Sequence, residues 1–206
     1  MEQEEQARIG ALAGIFGAMT FYVLLALAIW SSGDWRFGYD FLSDLGASGP
    51  YGWLFNSAVV ILGALGIAFT WFLYPFVSWS RLGKTATITF DLGCVFLMLV
   101  GIFPIDTGDL HDKVSWAFFI LIVLSLMLMM VPFRDHRTLG RPGFIATLAV
   151  VLLTIIDLLM VYSGLMRYEL CEALVVLCLT TWVMVISVFI LYKLRTDSFI
   201  VNTGND

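Results

Sequence analysis

Charge is the scarcest commodity in this chain. Only 13% of its 206 residues are Asp, Glu, Lys or Arg, against 60% that are hydrophobic, whereas a soluble domain carries about 25% charged residues on its surface and in its loops. That shortage excludes a soluble globule. Basic residues are fewer still: eleven Lys and Arg face sixteen Asp and Glu, a net charge of -5. No basic run is long enough to track a phosphate backbone, which excludes a nucleic-acid partner. Cysteine is limited to Cys94, Cys171 and Cys178. An odd number without a CxxC pair provides neither a disulfide framework nor a zinc cage, so these residues read as small apolar fillers. The opening residues, Met1 to Glu5, lack the basic segment of a cleaved signal peptide, and the first apolar run is expected to stay attached. Internal repeats and low-complexity segments are absent, and residues 1–206 read as one domain.

Long apolar runs are what the chain does have. A hydrocarbon core of about 30 Å needs about 20 apolar residues in a helix, because backbone amides in lipid must be satisfied within the segment. Six stretches meet that requirement, near 9–30, 51–76, 86–103, 114–131, 144–163 and 172–192, separated by Gly- and Pro-bearing breaks. The expected fold is an all-α, integral-membrane bundle of six transmembrane helices.

Orientation follows from the basic residues, which are retained on the cytoplasmic side. The N-terminus, second loop, fourth loop and tail hold eight (Arg8, Arg81, Lys84, Arg134, Arg137, Arg141, Lys193, Arg195), and the other loops hold three (Arg36, Lys113, Arg167). Both termini are therefore expected to be cytoplasmic, in a multi-pass protein of the cell membrane. The first and third loops then share the extracytoplasmic face. Their segments 39–46 and 104–112 contain five acids, Asp40, Asp44, Asp106, Asp109 and Asp112, and one of the two histidines, His111. The first loop, longer than a connector needs to be and carrying Phe37, Tyr39, Phe41, Leu42 and Leu45, reads as a short interfacial helix or re-entrant turn. Trp30, Trp35, Tyr51 and Trp53 read as an interfacial belt.

Inside the spans, Asn56, Asp91 and Asp157 require a protein or water partner. By helical rise, Asn56 and Asp157 lie about 9 Å in from the outer surface, within reach of the acidic loops. Asp91 falls toward the cytoplasmic end, as a protonated or Lys84-paired acid. In the third loop, Asp106, Asp109, His111 and Asp112 are ligand types suited to zinc, manganese or calcium, at a spacing that matches no closed metal motif. A divalent metal is thus one reading, and a helix start with Asp109 as cap and Asp112 closing a capping box is the other. His111 beside carboxylates suits a base, a ligand or a pH switch. Ser43 beside Asp44 lacks a visible base or oxyanion hole and reads as a turn or short-helix cap.

The segments Ser43-Asp44-Leu45-Gly46-Ala47, Trp53-Leu54-Phe55-Asn56 and Gly101-Ile102-Phe103-Pro104, followed by Asp106 and the His111-Asp112 pair, resemble the domain-of-unknown-function family DUF998 of prokaryotic six-span membrane proteins. The serine-aspartate-glycine loop before the second span is more distantly similar to the damage-regulated autophagy modulator and related lipid-handling proteins. The resemblance runs from the first span to at least the fourth. It implies six helices, an outer-face motif centred on Asp44, Asn56, Asp106, His111 and Asp112, and a lipid or lipid-linked ligand, with no established reaction. Membrane hydrolases of the ceramidase type look similar in pattern, but they hold zinc with several histidines, and His136 here belongs to the opposite face. The expected function is binding of a membrane lipid headgroup or cation by Ser43, Asp44, Asn56, Asp106 and Asp157. The alternatives are a lipid hydrolase using His111 and Asp112, with or without a divalent metal, and a proton- or cation-coupled transporter using Asp91 and Asp157.

Overall fold

The computed structural model describes residues 3–77 and 80–196. Six α-helices carry the chain: α1 (Gln3–Ser32), α2 (Gly52–Val77), α3 (Arg81–Ile102), α4 (Asp109–Asp135), α5 (Gly140–Tyr162) and α6 (Tyr168–Arg195). Two short 3-10 turns, Leu42–Gly46 and Ile105–Thr107, sit in the first and third loops, and no strand occurs among the described residues. All six helices are long and apolar enough to cross a membrane. This is a multi-pass membrane protein.

Each helix packs against its neighbours in sequence, and α1 meets α6, closing a ring. At its centre the Trp182 ring stacks on Phe133, with centroids 6.1 Å apart, and tilts against Phe90. The Trp182 indole N–H donates to the Thr147 hydroxyl at 3.0 Å, so no polar atom of this aromatic is left unpaired in a lipid-like interior. One residue of α6 thereby touches α3, α4 and α5.

Between apolar helices in lipid there is little hydrophobic driving force, and small residues bring backbones together instead. Gly63 of α2 faces the Cys94 carbonyl of α3, which a Cβ would meet at 2.7 Å. Gly101 of α3 faces the Asn56 carbonyl and the side chains of Val59 and Val60 on α2. These two contacts set the spacing between residues 56–63 of α2 and 94–101 of α3.

The helices extend past the apolar runs at several ends, with consequences for the polar residues. Starting α3 at Arg81 puts Asp91 at the middle of that helix, where it accepts a hydrogen bond from the Thr70 hydroxyl of α2 rather than pairing with Lys84. Pro132 does not end α4, which continues to Asp135. Starting α6 at Tyr168 places Glu172 a full turn inside the helix instead of at its edge.

Candidate functional site

Odd-numbered loops meet on one face of the ring, where eight carboxylates face three cations. The Leu42–Gly46 turn contacts α1, α2, α6 and the Ile105–Thr107 turn. It does not lie flat at an interface: Leu42, Ser43, Leu45 and Gly46 are buried between the helix ends. Its anchors are specific. Asn56 Nδ2 of α2 donates to the Gly46 carbonyl at 2.9 Å, and the Trp35 indole N–H donates to the Phe41 carbonyl at 2.8 Å. The Leu42 amide donates to Glu172 Oε2 of α6 at 2.8 Å, with Ser43 beside the same carboxylate.

Asp44 closes this turn by accepting from the Phe41 amide at 2.8 Å. Burial holds its carboxyl above the ordinary aspartate range, with repulsion from Asp40 and Glu169 adding to that shift and the Phe41 amide and His111 opposing it. Asp106 behaves oppositely: the Ser48 side chain and then the Ser48 amide donate to its carboxylate and hold its pKa low. That bond ties the first loop to the third. The signs follow from linkage. Asp44, raised on folding, destabilises the fold as pH rises from the ordinary aspartate value through its folded value, and Asp106, lowered on folding, withdraws stability as pH falls through its own. Replacing Asp44 with Asn, which keeps an acceptor for Phe41, is therefore expected to remove a loss of stability on the alkaline side of the ordinary aspartate range. Melting temperature followed across the acidic range in both proteins checks this; an unchanged profile would contradict it.

The third loop delivers His111. Gly108, at φ 58°, lets the chain reverse into α4 where a side chain would be strained. This glycine occupies the cap position, and neither Asp109 nor Asp112 closes a capping box; both lie within the first turn, where they favour the helix dipole. His111 is 5% exposed, and its Nδ1 lies 2.8 Å from the Phe103 carbonyl. Since a carbonyl only accepts, Nδ1 carries a proton, and in the neutral ring Nε2 then holds the lone pair. No hydrogen bond to Nε2 is found among the described residues.

Below this corner, α4, α5 and α6 leave a groove of about 560 Å³. Its polar end holds Ser43, His111, Asp112, Ser115 and Glu172. Apart from Thr154 and the Tyr168 hydroxyl the rest is apolar, with Trp116, Ile120, Leu124 and Met127 forming one stripe down α4. These four are 56%, 60%, 45% and 44% exposed, so the groove opens sideways, toward what surrounds the bundle. From His111 to Met127 it follows α4 for about 24 Å at 1.5 Å per residue. A second cavity, between α1, α2, α3, α4 and α6, shares the Ser115, Phe119 and Glu172 walls.

The predicted residues therefore divide. Ser43, His111 and Asp112 line the groove, and Asp44 lies within electrostatic reach of His111 and Glu172. Asn56 and Asp106 hold the loops in place outside it. Asp157 is buried on α5 near Cys171 and Cys178 of α6, and does not line the groove. Among the described residues no group of three or more His, Cys, Asp or Glu side chains could hold a metal ion; this donor set does not form a metal cage. Glu172, Ser115 and Trp116 were not legible as site residues. An acid at the edge of the sixth apolar run was the signal for Glu172, obscured because the run begins there and the helix does not.

A family described as "Protein of unknown function (DUF998)" matches residues 15–188. No curated protein and no solved structure matches the chain.

Proposed function

We propose a function for this chain, which belongs to the DUF998 family, from its groove: it binds an amphiphile taken laterally from the bilayer, head at Ser43, His111 and Glu172, chain along α4. The observation that carries this reading is the coincidence of a lipid-facing apolar stripe with a polar end that retains an unpaired imidazole nitrogen. Ligand pockets are mostly apolar, with a few placed polar groups, at about 300–1,000 Å³, and the groove falls within that range. Ionisable residues at membrane depth are functional candidates by default. With the eight-to-three distribution of basic residues, the groove's polar end faces the extracytoplasmic side.

Native mass spectrometry of the gently solubilised protein tests the reading. Wild type should retain one amphiphile per chain, and Ser115→Trp, which fills the groove beneath His111, should lose it. Val23→Trp, a change on the lipid-facing side of α1 where Val23 is 57% exposed, should retain it. Equal retention by all three proteins, or none by any, would contradict the proposal. A second reading, lipid hydrolysis with His111 Nε2 as base, draws on the same tautomer; it requires a turnover that His111→Ala abolishes while folding is kept.

A further inference from the structure

Resting on the groove as a lipid site, we infer that its ligand is a single-chain amphiphile with a protonated amine head. Apart from the hydroxyls of Ser43, Ser115 and Tyr168, the head end is built from acceptors. Glu172 and Asp112 contribute carboxylates, His111 in its neutral form contributes the Nε2 lone pair, and no Lys or Arg lines the groove among the described residues.

Two of the three basic residues on this face are committed elsewhere, and the third, Lys113, follows Asp112 on α4 without lining the groove. Arg36 pairs with Asp40 at 3.4 Å, and Arg167 pairs with Glu169 at 2.9 Å. Both guanidinium groups lie over the Tyr39 ring, at 5.5 and 5.1 Å from its centroid. A phosphate or carboxylate head offers only acceptors and would meet carboxylates with no cation in the groove lining to receive it. An alkyl ammonium offers three donors and no acceptor, and the lone pair of His111 with the oxygens of Glu172 and Asp112 supplies what it lacks.

Neutralisation favours the same ligand. A carboxylate and an ammonium that enter a low-dielectric groove together offset each other's desolvation, as neither does alone. The apolar part sets the chain number: Trp116, Ile120, Leu124 and Met127 make one row on one helix, with Leu158 of α5 and Val175 of α6 across from it. One alkyl chain covers such a row.

Photolabelling of the full chain in phosphatidylglycerol nanodiscs, a bilayer without amines, tests this. Diazirine-bearing long-chain amine, alcohol and carboxylic acid of equal length are compared by the label recovered on residues 116–127. The amine should label this segment roughly tenfold more than the other two, the worth of a charge-assisted hydrogen bond. Glu172→Gln keeps an acceptor for the Leu42 amide and should fold, yet it should remove most of the preference; Asp112→Asn, on the exposed rim, should reduce it independently. Excess dodecylamine should compete and methylamine should not. Equal groove labelling by all three probes would overturn the amine inference while leaving the groove as a lipid site. Preference for the acid, or competition by methylamine, would overturn it as well, the latter by showing a site for free cations. Labelling no higher than on the lipid face of α1 would overturn both readings together.

Discussion

Replacing Gly101 with leucine should cost the protein its loop face as well as helix packing. A Cβ at this position points at the backbone carbonyl of Asn56, with Val59 and Val60 on either side. A flexible side chain could move aside, but a helix carbonyl cannot, so α2 and α3 must separate. Overpacking of a core costs about 1–3 kcal/mol and more when the backbone is displaced, and this contact belongs to the upper end. The damage travels. Asn56 holds Gly46, the turn after Gly46 is held by Asp106 through Ser48, and the turn before it holds Glu172 through Leu42. Gly101→Leu should therefore lower the melting temperature and release bound amphiphile, although residue 101 does not line the groove. Gly101→Ala should show the same effects at smaller size. Wild-type melting and retention in the leucine variant would contradict the packing account.

Trp182→Ala should produce the largest loss of stability with the least local effect on binding. The indole is 2% exposed, stacks on Phe133, touches Phe90 and donates to Thr147. Truncating a buried tryptophan to alanine costs about 3–5 kcal/mol, and the Thr147 hydroxyl would also lose its donor. Trp182 lines the inner cavity and not the groove. Measured below its lowered melting temperature, the variant should still retain amphiphile. A full loss of retention in a protein that is still folded would show that the two cavities act as one.

These two predictions rest on contacts between residues far apart in the chain, and that is where the sequence stops being informative. Six spans were legible because lipid imposes a length and a composition on every helix. The meeting of the odd-numbered loops was legible from the parity of the crossings, and Asn56 reaching a loop followed from its depth. Helix faces were not. Both sides of each helix are apolar, so periodicity does not tell a residue facing a neighbour from one facing lipid; Trp116 and Trp182 look alike in sequence and have opposite roles. Depth was misjudged where polar residues extend a helix beyond its apolar run, as for Asp91 and Glu172. The third-loop acids read as a capping box because a glycine with positive φ, which leaves no side-chain signature, occupies the cap.

The groove itself is the central claim, and a crystal structure of the protein grown from a lipid mesophase tests it most directly. The account predicts elongated density against Trp116, Ile120 and Met127 that ends in a polar head within hydrogen-bonding distance of His111 Nε2 and Glu172. A groove without ordered density, in a structure where ordered lipid lines the other faces of the bundle, would contradict it.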